Sequence, residues 1–465
     1  MAIKPGKYIG DRQFYRKVML VAIPIMIQNA ITNLVGMLDN IMVGSLGTDP
    51  MSGVSIVNQL MFIFNLCVFG GLSGIGIFTA QFYGKGDNEG IRYTVRLQLM
   101  LAVLLSAGAL FVFWSAGGSL VSLYLHSDGG GGSIQETYRH AADYLAVMYA
   151  GLLPFAIAQV YSSTLRNTGE TVIPMAAGLM AVAVNLAGNY ILIFGKFGAP
   201  ALGVAGAAIA TVISRFAEMV FVMLWTHRHS LLYPFIKGLY RPVFYVPGEL
   251  VRKILLKAFP LLLNEALWSG GQAALVQNYS IRGLSAVAAL NISQTIGNVF
   301  NVGFIAMGSA IAIILGQMLG AGKTEEAKDE AVRLTFFSVV FCLTFSCVQL
   351  LISGFFPRMY NTSDEIRALA AGLIRISALC MPIYSYCNSS YFILRSGGKT
   401  VITFFFDCGF SWAVSIPAAF ILSHFTDIPL ITMFLCIQLL DLIKCGIGHI
   451  LVKQGKWAVN ITSWQ

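Results

Sequence analysis

Twelve long apolar runs restrict what this chain can become. They lie at about residues 17–43, 51–80, 95–116, 139–163, 172–195, 202–226, 253–275, 283–316, 331–355, 367–394, 400–423 and 429–452. A helix crosses the hydrocarbon core of a bilayer with about 20 mostly apolar residues. Lipid offers backbone groups no hydrogen-bond partners, so only helices and closed barrels span it. Each run is continuous and does not alternate over about 10 residues, which predicts helices and not a barrel. The chain is 57% hydrophobic and 11% charged, against about 25% charged in a soluble domain. Too few polar side chains remain to cover a water-facing surface. The first run is too long for a signal-peptide h-region and leads directly into further helices, so no cleavable signal is expected.

The net charge of +9 sorts by side of the membrane. With the N-terminus inside, inner loops and ends hold 23 of the 30 lysines and arginines, including Lys4, Lys7, Arg12, Arg16 and Lys17 in the tail. Arg228, Lys237, Arg241, Arg252, Lys253 and Lys257 lie between runs six and seven; Arg139, Lys196, Arg282, Arg358, Arg367 and Arg375 fall outside. This is the positive-inside pattern, with both termini cytoplasmic in an inner membrane. The charge therefore addresses orientation and anionic lipid, not nucleic acid. Cys67, Cys342, Cys347, Cys380, Cys387, Cys408, Cys436 and Cys445 all fall in apolar runs without CxxC spacing. They read as buried free thiols, and no metal centre is expected.

The chain also contains a copy of itself. At an offset of 236, Ala22 and Pro24 fall on Ala258 and Pro260, and Gln81-Phe82-Tyr83-Gly84-Lys85-Gly86 falls on Gln317-Met318-Leu319-Gly320-Ala321-Gly322. Tyr124, Ser127 and Asp128 fall on Tyr360, Ser363 and Asp364. Beyond that the offset becomes 229, and Leu165-Arg166-Asn167-Thr168-Gly169 falls on Leu394-Arg395-Ser396-Gly397-Gly398. The difference is accounted for by Gly129-Gly130-Gly131-Gly132-Ser133-Ile134-Gln135, an outer-loop insertion, natural or engineered. Six helices per copy is even, so the copies enter the membrane from the same side as parallel repeats. The predicted organisation is a lobe at 1–232, a cytoplasmic linker at 233–252 and a second lobe at 253–465. Repeated lobes of this size favour a transporter, although duplication also builds channels and enzymes.

A charge at the centre of a membrane helix costs roughly 2.5–3.5 kcal/mol on insertion scales, so intramembrane acids are functional candidates. Asp39 shares a face with Thr32 and Gly36, and the alternative is a solvated acid at the outer helix end. Glu265 lies about 18 Å into its helix at 1.5 Å per residue, with Trp268 and Gln272 on its face. Carboxylate and indole together suit an organic cation; an interhelical hydrogen bond is the alternative. Glu218 is read as pairing with Arg215, and Asp441 with Lys444. Asp407 has no partner in sequence and stays open between structure and coupling. Polar stripes repeat between the copies: Asn291, Gln294, Asn298 and Asn301, matched by Ser55, Asn58, Phe62 and Asn65. They face a cavity or a neighbouring helix, as do Asn185 and Asn189 on a shared face.

Other motifs fail on spacing. Gly316 to Gly322-Lys323-Thr324 has five residues between its glycines where a P-loop has four, and it follows a helix, so ATP binding is rejected. Gly84-Lys85-Gly86-Asp87 resembles an intramembrane protease motif but lacks a second aspartate on a neighbouring Tyr-Asp. No HExxH or GxSxG occurs, so the chain is not expected to be an enzyme.

With these residues in view, positions 15–452 resemble the multidrug and toxic compound extrusion (MATE) family. The resemblance rests on Pro24, on Met37-Leu38-Asp39-Asn40-Ile41-Met42-Val43-Gly44, on the paired Gln-x-x-Gly-x-Gly loops, on Leu165-Arg166-Asn167-Thr168-Gly169, and on Pro260 with Glu265. It implies an all-α, V-shaped transporter of two six-helix lobes that exports organic cations in exchange for protons or sodium, with no further cofactor. It places cation coupling at Asp39, Asn185, Asn189, Thr211 and Glu265, and a helix bend at Pro24. The expected substrate cavity takes Glu265, Trp268, Gln272, Asn291, Gln294, Asn298, Asn58 and Asp407. Asn189 stands where some members carry a second acid in the first lobe, and Tyr384 where others carry an acid in helix ten; the latter weakens the case for sodium at Glu265. The expected partners are small organic cations and membrane lipid, for a monomer in the inner membrane. A flippase for lipid-linked sugars is the alternative; its anionic cargo would want a cationic cavity, whereas the deep charges here read as mostly acidic.

Overall fold

The computed structural model describes residues 8–125, 133–242 and 245–462. The glycine tract 129–132 of the insertion, and Ser127 and Asp128 of the repeat, lie outside the described residues. Within them the backbone forms twelve long helical segments: α1 (Arg12–Gly44), α2 (Thr48–Lys85), α3 (Asn88–Ser122), α4 (Ile134–Asn167), α5 (Val172–Phe194), α6 (Gly203–Arg228), α7 (Gly248–Ser280), α8 (Leu284–Gly320), α9 (Thr324–Ile352), α10 (Asp364–Ser396), α11 (Thr400–Phe425) and α12 (Leu430–Lys453). All except α7 are apolar enough, as well as long enough, to cross a membrane. In α7 the apolar pattern is broken by Asn264, Glu265, Gln272, Gln277 and Asn278.

Packing divides the chain into two compact units. One joins residues 253–465 with 1–26 and 80–87; the other comprises 27–79 and 88–252. The division thus cuts α1 after Met26 and removes the end of α2 from its own copy of the repeat. It also assigns 233–252 to the second unit, where Arg96 explains the attachment. Its guanidinium donates to the carbonyls of Leu239 and Gly238, both at 2.8 Å, and of Tyr245 and Arg241 at 3.1 and 3.2 Å. Five donors in a fixed fork suit such a cage of carbonyls.

The repeat reappears in backbone geometry. α2 ends with the Asp87 N–H on Phe82 O at 2.9 Å, and α8 with the Lys323 N–H on Met318 O at 3.0 Å. Both ends use a left-handed glycine, Gly86 at φ +76 and Gly322 at φ +78, the usual way of satisfying a helix's last carbonyls. In the first unit these ends meet reciprocally. A Cβ on Gly84 would lie 1.9 Å from Gln317 O, and one on Gly320 would lie 1.8 Å from Gln81 O. Nothing larger than glycine fits either place. The Gln81 amide then secures the C-terminal segment, donating to Ser396 O and Val459 O at 2.9 and 3.1 Å and accepting from the Ile461 N–H at 2.8 Å.

The thiols are all free, but not all are buried. Cys342, Cys380, Cys387 and Cys408 are; Cys347 and Cys436 are exposed. Apolar helix faces turned to lipid tolerate a thiol as well as a core does, so residence in an apolar run does not fix burial.

Candidate functional site

Asp39 lies on α1 five residues before its end, within the second unit. α5 brings Asn185 and Asn189 to it on one face, at i and i+4. Asn189 Nδ2 donates to Asp39 Oδ1 at 2.6 Å. An ionised carboxylate only accepts, so the Asn185 amide then turns its NH2 to Asp39, at 2.9 and 3.1 Å from the two oxygens, and its Oδ1 accepts from Thr211 Oγ1 on α6 at 3.2 Å. With a proton on Asp39 the opposite orientation is the satisfied one. Asn185 Oδ1 faces the carboxyl O–H, Asn185 Nδ2 donates to Thr211 Oγ1 at 3.2 Å, and that hydroxyl donates to Ala207 O at 3.0 Å. The protonation of Asp39 thus decides which amide orientation is satisfied. The structure brings Asp39, Asn185, Asn189 and Thr211 together, while Glu265 lies in the other unit.

Asp39, Asn189 and Thr211 line a cavity of about 320 Å³ whose walls also carry Gly36, Asn40, Asn58, Asn65, Tyr144 and Arg215, a size suited to a small ligand. Asn65 Oδ1 and Asn189 Oδ1 are buried acceptors that lack a donor among the described residues. Tyr144 escaped the sequence reading, and Arg215 entered it only as a partner for Glu218, although a tyrosine and an arginine within apolar helices were a signal available to it.

Arg215 corrects an expectation. It makes no ion pair with Glu218 among the described residues; its Nη1 donates to Gly151 O at 3.3 Å, and the guanidinium lies 5.0 Å over the Phe155 ring. Glu218 sits within electrostatic reach of both Arg166 and Arg215. The i,i+3 spacing suggested a local pair, but Gly151 leaves a carbonyl open close to the guanidinium.

In the first unit the expected pair of Asp441 with Lys444 is also replaced. Lys444 Nζ sits 2.6 Å from Asp407 Oδ1, and Asn264 Nδ2 donates to Asp407 Oδ2 at 3.1 Å. α12 breaks at Leu440, between helical pieces 430–439 and 441–453. α11 widens into π-helical stretches at Phe405–Gly409 and Ser411–Ser415, a geometry that recurs at functional sites. Glu265, beside Asn264, makes no hydrogen bond among the described residues and lies within electrostatic reach of Arg395 and Asp407. Asp407 thus joins a charged cluster, and the deep charges are more mixed than the sequence reading held.

Trp268, Gln272, Asn291, Gln294 and Asn298 are exposed on the first unit, as is Asn58 on the second. Amides turned to hydrocarbon would be costly, so these faces belong against water. Pro24 is buried inside α1, which is helical on both sides of it.

Comparison with known proteins follows this geometry. The family model MatE matches residues 24–191 and 260–421, once in each copy of the repeat and over well more than half of the chain. A protein of Thermotoga maritima named "Probable multidrug resistance protein NorM" is 24% identical over 449 residues, covering 95% of this chain and 93% of its own length. One of Bacillus subtilis named "Probable multidrug resistance protein YoeA" is 24% identical over 428 residues, covering 90% and 89%. A crystal structure of MATE in the bent conformation is similar at a TM-score of 0.84 and 19% identity, covering 95% of this chain and 96% of that one. At that identity the likeness concerns the fold, an all-helical one. With the family model matched in both repeats, the chain belongs to the MATE family and is a multi-pass membrane transporter.

Proposed function

We propose that this transporter exports small organic cations across the cytoplasmic membrane in exchange for a proton or sodium ion, with both termini in the cytoplasm, as a monomer and without ATP. The observation that carries the reading is Asp39, a carboxylate in a ligand-sized cavity whose hydrogen-bond partners are two neutral amides. Among the described residues nothing bonded to it cancels its charge, so an exchangeable cation can. The names of the Thermotoga and Bacillus relatives, both multidrug resistance proteins, support drugs as the cargo.

The mechanism follows from the two amide orientations. With Asp39 ionised, Asn185 and Asn189 both donate to it and the cavity presents a negative charge to an organic cation. When a proton arrives from outside, the Asn185 amide and the Thr211 hydroxyl turn over and that charge disappears, so the cation leaves. Sodium would act through charge instead, using Asp39 with the free oxygens of Asn65 and Asn189. Pro24 removes one helical hydrogen bond and crowds the preceding turn, and we assign to it the hinge by which α1 responds. Glu265 with Trp268, Gln272 and the amide face of α8 provides a second stretch of the substrate path.

The flippase reading gains one observation, Arg215 on the cavity wall. That guanidinium is held by Gly151 O and Phe155, neutral groups that fix its position without cancelling its charge, so the cavity wall carries one group of each sign. The test is efflux of a fluorescent organic cation from vesicles, with pH and sodium gradients imposed separately. Exchange driven by either gradient is expected. Failure of both to drive transport, with lipid-linked sugar translocated instead, would overturn the reading.

A further inference from the structure

The Asp407–Lys444 pair has no part in the mechanism above, yet it is built with care. Each partner lies roughly 10–13 Å from its helix end at 1.5 Å per residue. The side chains are only 12% (Lys444) and 19% (Asp407) exposed. Both carboxylate oxygens are occupied, Oδ1 by Lys444 at 2.6 Å and Oδ2 by Asn264 at 3.1 Å. Lys444 is further placed over the Phe406 ring, 5.3 Å from its centroid. The surrounding charged and titratable groups include Glu265 on α7, Arg395 and Tyr391 on α10, Asp441 on α12, and the thiols Cys387, Cys408 and Cys445.

A carboxylate at this depth must be neutralised by a proton, by an ion from solution or by a cation carried on the chain. Among the described residues the hydrogen bonds to Asp39 come from neutral amides, which leave its charge in place. Asp407 has an ammonium tethered to the next helix, at an effective concentration of the order of millimolar or higher, and in the position a bound metal ion would need. We propose that Lys444 is a resident counter-ion that closes the Asp407 carboxylate to sodium, so that this acid takes up no coupling ion. The consequence for coupling rests on the exporter reading; the exclusion of sodium does not.

The experiment is thermal unfolding of the purified full-length chain at pH 8, in sodium, potassium or choline chloride at equal ionic strength. It is done in an Asp39→Asn background, so that any sodium effect arises elsewhere. Asp39→Asn alone should show no sodium-specific shift. Adding Lys444→Met should create one, a rise in Tm of about 2–4 °C, as for a ligand that binds the native state alone. Adding Asp407→Asn should abolish it. If the Lys444→Met protein unfolds in potassium, purification in sodium should recover it.

A sodium-specific shift in Asp39→Asn that Asp407→Asn removes would overturn the proposal, because sodium would then bind despite the lysine. So would a Lys444→Met protein that sodium neither shifts nor rescues. A wild type that carries no organic cation under either gradient would end the exporter reading without changing what these melting curves report.

Discussion

Asp39 and Asp407 are both aspartates inside apolar helices, and the protein treats them in opposite ways. Asp39 meets Asn185 and Asn189 across a cavity; Asp407 meets an ammonium and an amide at 2.6 and 3.1 Å. Neutral donors stabilise a carboxylate without cancelling its charge, so the first site retains a demand for a cation. A tethered lysine cancels the charge, so the second site is complete as it stands. The two acids stand at places the repeat does not relate, Leu275 falling opposite Asp39, so the copies keep matching helix ends while each unit holds its deep aspartate in its own way.

The contrast can be broken first at Lys444. Removing one partner of a buried ion pair costs about 3–5 kcal/mol, whereas replacing both with apolar groups is often neutral. Lys444→Met should therefore depress Tm strongly in potassium, and Lys444→Met with Asp407→Leu should recover most of the loss, read by thermal unfolding in detergent. Next is the joint between the repeats. Gly320→Ala forces a Cβ onto Gln81 O, and overpacking of this kind costs about 1–3 kcal/mol. A lower yield of monodisperse protein should follow, while Gly297→Ala, with open space around it, should be silent in the same assay.

At the Asp39 cluster, Asn185→Leu removes the amide that turns over and leaves Thr211 without that partner. A lost hydrogen bond to a buried polar group is worth about 1–3 kcal/mol, so gradient-driven efflux should fall about tenfold or more with the protein still folded. The smallest effect is expected at Trp268, 42% exposed. If its indole greets a passing cation at an exposed site, Trp268→Ala removes about 0.5–1 kcal/mol, a rise of a few-fold in the apparent KM for an organic cation with little change in maximal rate.

How much of this the sequence revealed depended on whether a signal was local. The helices were legible because apolar run length is a local property, and the repeat because glycine caps such as Gly86 and Gly322 keep their spacing. Asp39 stood out as an acid where lipid penalises one, and the resemblance supplied Asn185, Asn189 and Thr211 from far along the chain, Asn189 being 150 residues away. Lys444 was misread because Asp441 stands three residues before it, while its real partner lies 37 residues back on a π-widened helix. Arg215 was misread in the same way, drawn to Glu218 by spacing when a carbonyl at Gly151 was nearer. Helical periodicity identifies which residues share a face, but it carries no information about what the neighbouring helix offers.

The central claim is that Asp39 takes up and releases the coupling ion, and replacing it with the isosteric amide tests this most directly. In vesicles with a proton or sodium gradient, Asp39→Asn should reduce driven efflux of an organic cation to background while retaining the wild-type Tm to within a few degrees. Undiminished gradient-driven efflux by Asp39→Asn would contradict it, and the coupling group would have to be sought elsewhere.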